Sequence, residues 1–148
     1  CPGSEEVYLA LRGLPTLNLR MKQIESNAVN MAIKLNNHPL VEKVYHPALE
    51  TSINHDIWKR DFSGSSGLFA FSLKKIHSQK KIKKMFSKLS IFKLGYSWGG
   101  YDSLITFPPL SKRKFKSELR GNLIRLYCGL EDSDDQIKDI FTALKALK

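Results

Sequence analysis

Apolar residues recur every three or four positions over the first third of the chain, the spacing of one face of an α-helix. This pattern predicts a long helix over residues 1–37, with Ser4 as its N-cap and Asn36-Asn37 at its end. Pro15 removes a helical hydrogen bond and clashes with the preceding turn, so we expect a kink or a break near residues 11–15. The apolar positions are Val7, Leu11, Leu14, Leu17, Met21, Ile24, Ala28, Met31 and Leu35.

Later segments are shorter and alternate between strand and helix patterns. Helices are predicted over residues 54–60 and 78–89, and Ser133 with Gln136 is typical of a capping box that opens a final helix. Residues 112–121 are predicted to be a polar, basic connection. The predicted strands are residues 41–46, 68–73, 104–107 and 123–128.

This order of elements predicts an α+β domain of two layers, with a small, mostly antiparallel sheet and helices on one face. Residues 1–37 would form a long connecting helix, and residues 38–148 an α+β sandwich. A helix of about thirty residues spans about 45 Å. A compact domain of this length has a radius of gyration of only about 15 Å. We therefore expect part of the long helix to pack against something outside this chain.

Charge is the unusual feature of the composition. The 148 residues include 24 Lys and Arg against 14 Asp and Glu, which gives a net charge of +10. Between Asp61 and Glu118 the only acid is Asp102, so a phosphate-tracking surface, and hence a basic nucleic-acid-binding module, is one interpretation. Aromatic residues are not interleaved with the lysines as base stacking requires. The pattern therefore favours a solvated helix face and no nucleic-acid partner.

Other classes of protein are disfavoured by simple features of the sequence. No apolar run approaches the roughly 20 residues of a membrane span, and residues 1–6 do not resemble a signal peptide. Two cysteines without a spacing pattern indicate a reducing compartment, so we expect a cytoplasmic protein. Cys128 is interpreted as a small buried hydrophobe rather than a reactive thiol. The four histidines show no zinc-ligand spacing, and no metal site is expected.

A glycine-bounded segment is the first candidate for binding chemistry. Tyr96, Ser97 and Trp98 lie between Gly95 and Gly99. The serine hydroxyl, the indole N–H and the backbone N–H groups of a tight turn are donors that suit an anion such as a carboxylate. The alternative is an aromatic corner packed at the end of a strand.

Arg125, which lies inside an apolar strand, is the second candidate. Strand alternation places Arg125 with Leu123 and Tyr127 on one face, opposite the more apolar one. Its planar guanidinium can bind a carboxylate through two parallel hydrogen bonds. The alternative is a solvent-facing arginine paired with an acid. No nucleophilic triad, P-loop or dinucleotide-binding fingerprint is present, so no catalytic residue is assigned in this chain.

Five regions of the chain, taken in order, resemble the C-terminal part of the cystathionine beta-lyases, a group of pyridoxal-phosphate (PLP) enzymes of cysteine and methionine metabolism. They cover nearly the whole chain, which makes the resemblance more specific than any single motif. They are Leu11-Arg12-Gly13-Leu14 with Leu19-Arg20-Met21; Val44-Tyr45-His46-Pro47-Ala48-Leu49; Trp58-Lys59-Arg60-Asp61-Phe62-Ser63-Gly64-Ser65-Ser66-Gly67-Leu68-Phe69; Tyr96-Ser97-Trp98-Gly99-Gly100-Tyr101-Asp102-Ser103-Leu104; and Leu123-Ile124-Arg125-Leu126 through Gly129-Leu130-Glu131-Asp132.

The resemblance implies roles for four residues. Arg125 resembles the arginine that binds the substrate α-carboxylate, and Trp98 the tryptophan that helps to hold it. Ser97 resembles the serine that tethers the catalytic lysine near the cofactor, so its part in cofactor binding is indirect, and Tyr96 lines the same pocket. Tryptophan after the serine is typical of beta-lyases, whereas gamma-synthase and gamma-lyase relatives usually carry leucine there.

The resemblance also implies an activity and partners. It implies a PLP-dependent carbon–sulfur lyase of methionine biosynthesis that cleaves cystathionine to homocysteine, pyruvate and ammonia, and that assembles as a homotetramer. In this family the cofactor-binding domain, with the lysine that binds PLP covalently, lies upstream. We therefore expect this chain to be a fragment without that domain, to bind no PLP alone and to be inactive alone. A cysteine desulfhydrase or gamma-lyase activity is the alternative within the family.

Overall fold

The structure is a computed structural model that describes residues 1–108 and 121–147. The predicted connection over residues 112–121 lies outside the described part except for Gly121. The helices are α1 (Ser4–Gly13), α2 (Leu17–Asn36), α3 (His55–Asp61), α4 (Gln79–Phe86) and α5 (Ser133–Leu144), with 3-10 turns at Leu14–Thr16 and Lys145–Leu147. The strands are β1 (Val41–Tyr45), β2 (Leu68–Leu73), β3 (Lys93–Leu94), β4 (Leu104–Thr106) and β5 (Leu123–Tyr127).

The predicted break in the first helix is confirmed. Helix α1 ends at Gly13, and a 3-10 turn that contains Pro15 separates it from α2. Arg20 Nη2 donates to the carbonyl oxygen of Gly13 at 2.8 Å, which satisfies an acceptor at the end of α1. The prediction of Ser4 as N-cap is wrong. Gly3 holds that position, and its N–H donates to the Glu6 carboxylate, because an acid three residues on can satisfy this donor.

The strands form one sheet in the order β1-β2-β5-β4-β3, antiparallel except for the β3–β4 pair. The C-terminal half of α2, with α4 and α5, packs against the sheet around a shared apolar core. This confirms the predicted α+β class and the mostly antiparallel sheet. The fully buried side chains of this core include Met31 and Leu35 of α2, Phe71 of β2, Met85 of α4, Ile124 and Leu126 of β5, and Ile140 of α5.

Strand β5 has two different faces, as its alternation predicts. Ile124 and Leu126 are fully buried on the face that packs against the helices. Arg125 lies on the opposite face, which we call the outer face, between Ala70 of β2 and Thr106 of β4 in the pairing register.

Helix α5 begins differently from the sequence prediction. Asp132 is the N-cap, and its side chain accepts hydrogen bonds from the N–H groups of Asp134 and Asp135 at 2.9 and 3.1 Å. The predicted capping box of Ser133 and Gln136 is therefore wrong. Gln136 is fully buried and bonds to residues outside its helix, because a tertiary partner competes with the local one.

Candidate functional site

A loop on the outer face joins β3 to β4 and contains three of the candidate residues. We call residues 95–102 the Trp98 loop. Its base is closed by backbone hydrogen bonds from Lys93 N to Ser103 O at 3.0 Å and from Gly95 N to Ile105 O at 3.2 Å. Gly99 has a φ of 89°, in the left-handed region where glycine is favoured. The loop is therefore a hydrogen-bonded turn that returns the chain to the sheet.

An ion pair also spans the base of the Trp98 loop. Lys93 Nζ lies 2.7 Å from Asp102 Oδ1, and this hydrogen bond raises the pKa of Lys93. Both side chains are well exposed to water, where ion pairs stabilise a fold only weakly. Asp102, the only acid in the long basic segment, is therefore occupied by a neighbouring lysine rather than by Arg125.

Arg125 contacts the Trp98 loop directly. Its Nη2 donates to the carbonyl oxygen of Tyr96, and its guanidinium carbon lies 5.9 Å from the centre of the Tyr96 ring. Within residues 1–108 and 121–147, no carboxylate forms an ion pair with Arg125. The alternative interpretation of an arginine paired with an acid is therefore not met in the described part of the chain. A guanidinium has five N–H donors, so this half-buried cation keeps donors for an anion.

Ser97 and Trp98 lie further out on the same loop. Tyr96 is 67% exposed and Trp98 is 64% exposed, and Ser97 is exposed as well. The structure brings Tyr96 and Arg125 together, whereas no hydrogen bond in the described part joins Ser97 or Trp98 to Arg125. Trp98 and Tyr127 instead line a mostly apolar cavity of about 290 Å³ beside α2. The four candidates thus share one loop and the adjacent strand.

Two residues that were not predicted as site residues also hold the loop. The hydroxyl of Tyr127 donates to the carbonyl oxygen of Gly100 at 2.8 Å, and burial raises the pKa of this phenol. The Glu131 carboxylate accepts from Ser103, where the loop enters β4. Tyr127 lies two residues after Arg125 in β5, so strand alternation places both side chains on one face. That shared face could have identified Tyr127 as a neighbour of the site. Glu131 follows β5 on a bend, where no periodic signal marks it.

The described residues do not include a covalent anchor for a cofactor such as PLP. A lysine that bonds to a cofactor carbonyl works best in a desolvated site that lowers its pKa. Every described lysine is exposed, and Lys93 is engaged with Asp102. Nor does the described part of the chain hold a group of three or more His, Cys, Asp or Glu side chains arranged for a metal ion.

Cys128 and the lysines of α4 lie where their sequence patterns predict. Cys128 is fully buried, and burial raises the pKa of its thiol well above the usual range, which confirms that it packs as a small hydrophobe. On α4, Ile82 and Met85 are buried, whereas the lysines of the same helix are exposed to water. This is the arrangement of a solvated basic face.

Within the described residues, none of the helices combines the length and apolar character that crossing a bilayer requires.

Comparison with known proteins identifies the family. Residues 1–145 match the family described as Cys/Met metabolism PLP-dependent enzyme. The chain is similar to the cystathionine beta-lyase of Escherichia coli (strain K12), with 42% identity over 93% of this chain and 36% of that protein. It is 40% identical to the L-alanine/L-glutamate racemase of Wolbachia pipientis wMel, over 97% of this chain and 36% of that protein. It is 38% identical to the cystathionine gamma-lyase of Sus scrofa, over 98% of this chain and 37% of that protein.

The chain therefore belongs to the PLP-dependent enzymes of cysteine and methionine metabolism. It spans only a little over a third of the length of these curated relatives. Cystathionine beta-lyase is the name of several relatives, from Salmonella typhimurium and Haemophilus influenzae among others, but racemase and gamma-lyase names occur at similar identity.

Proposed function

We propose that this chain is the substrate-recognition part of a PLP-dependent carbon–sulfur lyase that acts on cystathionine. In this reaction the Cα proton is removed, the Cβ–S bond breaks, and water is consumed to give homocysteine, pyruvate and ammonia. PLP, when bound, supplies the electron sink for the charge that develops at Cα. The part assigned to the described residues is to bind and orient the amino-acid end of the substrate.

The single observation that carries this proposal is the state of Arg125. It is a half-buried arginine on the outer face, joined to the Trp98 loop through Tyr96 O and without an acidic partner among the described residues. A cation in this state favours an anionic ligand, and the guanidinium plane matches a carboxylate. We assign the substrate α-carboxylate to Arg125, with Trp98 and Ser97 beside it and Tyr96 at the rim.

The remaining two thirds of such an enzyme would hold the cofactor. Helix α1 has no buried residue, and its large apolar side chains face water. A helix with such a surface is typical of one that packs against another part of the protein. We propose that an upstream cofactor-binding domain covers this helix, and that residues 1–37 connect it to the sandwich of residues 38–148. The exposed apolar side chains of α1 are Val7, Tyr8, Leu9 and Leu11.

Beta-elimination is preferred over the other activities in the family for one reason. Trp98 follows Ser97, which resembles the beta-lyases, and its exposed indole carries an N–H donor on the loop that Arg125 contacts. The relative named L-alanine/L-glutamate racemase is 40% identical to this chain, so a protein of similar sequence carries the name of a different amino-acid reaction. An amino-acid carboxylate is common to all these substrates, so the role of Arg125 does not depend on the choice of reaction.

Product analysis tests the proposal. The full-length protein that contains this chain is incubated with cystathionine, and pyruvate and homocysteine are expected in equal amounts. Cysteine with 2-oxobutyrate would instead show a gamma-lyase, and racemised alanine or glutamate without sulfur release would show a racemase. Either result would overturn the beta-lyase assignment. The chain alone is expected to release no pyruvate, since its described residues include no buried lysine.

A further inference from the structure

The Trp98 loop is held by one short stretch of chain that begins at Arg125. Arg125 donates to Tyr96 O near the start of the loop, and the hydroxyl of Tyr127 donates to Gly100 O at 2.8 Å in its middle. The N–H of Leu130 donates to the carbonyl oxygen of the next loop residue, Tyr101, at 2.8 Å. The loop is thus attached to β5 and to the bend that follows it at successive points.

The last attachment is made by a carboxylate. Glu131 Oε1 accepts from the backbone N–H of Ser103 at 2.7 Å, and Glu131 Oε2 accepts from the Ser103 hydroxyl at 2.7 Å. Ser103 is fully buried and is the residue between the loop and β4. Hydrogen bonds to an ionised acceptor are about twice as strong as those between neutral groups. Glu131 therefore binds both the backbone N–H and the hydroxyl of Ser103, and so restrains the end of the loop.

Neighbouring groups hold the carboxylate and the serine in this arrangement. Gln136 Nε2 lies 3.1 Å from Glu131 Oε2 and 3.1 Å from the hydroxyl of Ser103. The N–H of Gly129 donates to the same hydroxyl at 2.8 Å. Asn27 of α2, which is also buried, donates to the carbonyl oxygens of Gly129 and Glu131 at 3.0 and 2.9 Å. The network thus joins the loop, the bend after β5, α5 and α2.

The loop depends on these hydrogen bonds because its own side chains bury little apolar surface. The aromatic rings of Tyr96, Trp98 and Tyr101 are largely exposed, so their burial stabilises the loop conformation little. A surface loop with little buried apolar area samples other conformations unless hydrogen bonds restrain it. The Glu131–Ser103 contact is therefore one of the restraints that set the position of the loop relative to Arg125, and it acts where the loop enters β4.

We propose that Glu131 is a positioning residue for the amino-acid substrate: through Ser103 it holds the Trp98 loop where its donors meet the same carboxylate as Arg125. This inference rests on the proposed function, since it assumes that Arg125 and the loop bind one ligand. Glu131 acts through the loop and touches no substrate atom.

A kinetic comparison in the full-length enzyme tests this role. Glu131→Gln keeps the size of the side chain, but replaces one acceptor oxygen with an amide that faces the donors of Ser103 and Gln136. Because the loop binds the carboxylate in the ground state and the transition state alike, KM for cystathionine is expected to rise about tenfold, a larger factor than any fall in kcat that displacement of Ser97 causes. Asp134→Asn, an exposed acid on the next turn, removes the same charge and is expected to leave both constants unchanged.

A second variant keeps the test decisive if Glu131→Gln does not fold. Ser103→Ala removes the hydroxyl and leaves the carboxylate, and it is expected to raise KM in the same direction. Where both variants fold, the double variant is expected to have a KM no higher than that of Glu131→Gln, since the two residues act through one contact. Additive effects, or a fall in kcat with KM unchanged, would overturn the positioning role.

Hydrogen exchange separates this inference from the proposed function. In Glu131→Gln, amides of residues 96–103 are expected to exchange at least about tenfold faster than in the parent protein, with no change in Asp134→Asn. If the parent protein releases no pyruvate from cystathionine, the proposed reaction fails and the exchange result alone decides whether Glu131 holds the loop. If Arg125→Lys raises KM but Glu131→Gln changes neither KM nor exchange, only the positioning role is wrong.

Discussion

The guanidinium of Arg125 donates to the main-chain oxygen of Tyr96, so the cation and the Trp98 loop are parts of one unit. The bond uses a backbone acceptor, and it leaves the aromatic ring of Tyr96 exposed. An arginine that is anchored through one N–H is restrained in orientation but keeps other donors for a ligand. The proposed carboxylate site therefore has a fixed cation at its base and a loop beside it.

Replacement of Arg125 tests the carboxylate site. The loss of one partner from a charge-assisted pair costs about 2–4 kcal/mol, so Arg125→Ala is expected to lower kcat/KM for cystathionine about 100-fold. Arg125→Lys keeps the charge but not the planar fork, and an intermediate loss is expected. Steady-state kinetics on the full-length enzyme measures both. Arg60→Ala removes an exposed arginine whose ion pair is with its neighbour Asp61, and it serves as the unaffected control. A kcat/KM near that of the parent in Arg125→Ala would refute the role.

Gly129 is predicted to be required for the approach of the bend to the Trp98 loop. A Cβ at this position would lie 2.1 Å from the carbonyl oxygen of Tyr101, so Gly129→Ala forces backbone to move. We expect a loss of about 2 kcal/mol or more in the free energy of unfolding, measured with urea. At Gly100 a Cβ would meet nothing within 4 Å, and Gly100→Ala is expected to change stability by less than about 0.5 kcal/mol. Equal stabilities of the two variants would contradict this account.

Asp139 is predicted to be the main anchor of the turn that precedes β3. Its carboxylate accepts from the N–H and hydroxyl of Ser90 at 2.8 and 3.0 Å, and from the N–H groups of Ile91 and Phe92 at 2.9 and 3.0 Å. Asp139→Asn turns one acceptor oxygen into a donor, and a loss of about 2–3 kcal/mol is expected from the unfolding curve. Asp135→Asn, on the exposed side of the same helix, is the matched control. If both substitutions had the same small effect, the anchoring role would be wrong.

His46 is predicted to make the fold less stable in acid. Burial lowers the pKa of its imidazole below the usual 6.5, and the carboxylate of Glu25 acts in the opposite direction. The unfolded chain therefore takes up this proton at a higher pH than the folded chain does. The contribution of His46 to stability is present above the unfolded pKa and is lost as the pH falls through the lower, folded value.

The measurement is the free energy of unfolding at about pH 7.5 and about pH 5.5, a window that brackets the unfolded histidine. His46→Asn cannot titrate there, and its amide oxygen can still accept the bond that the Ala48 N–H makes to Nδ1 at 3.1 Å. We expect the drop between the two pH values to be smaller in this variant than in the parent chain. Equal drops would show that His46 does not titrate differently on folding.

Local patterns predict much of this fold because each element has a regular period. The spacing of Ile24, Ala28 and Met31 identifies the buried side of α2. The alternation of β5 predicts which residues share a face with Arg125, but not that Leu123 and Tyr127 of that face are also buried. Pro15 marks the break in the first helix because its constraint on the backbone is local. Strand β3 has two residues, both exposed, so it carries no pattern and is defined only by its pairing with β4.

The candidate site is predicted less completely, because its supports are distant in sequence. Ser133 and Gln136 fit a local capping pattern, yet the amide of Gln136 bonds to Ser103, which is 33 residues away. Glu131 holds the Trp98 loop across 28 residues. Such contacts form only once the sheet has brought the bend after β5 beside the loop, and no periodicity encodes them. Arg125 and Trp98, by contrast, can be identified from the sequence, because one is an arginine within an apolar strand and the other a tryptophan within a glycine-bounded turn.

Helix α1 has a consequence for how this chain folds. It spans ten residues, and none of them is buried. Isolated helices shorter than about 12–15 residues are marginal in water, so without a covering surface this segment is expected to unfold independently of the sandwich. The helicity of α1 would then depend on whether another part of the protein covers it. Amide protection of residues 4–13 is expected to rise only when the proposed cofactor-binding domain packs against α1, so hydrogen exchange at this one segment would report that assembly.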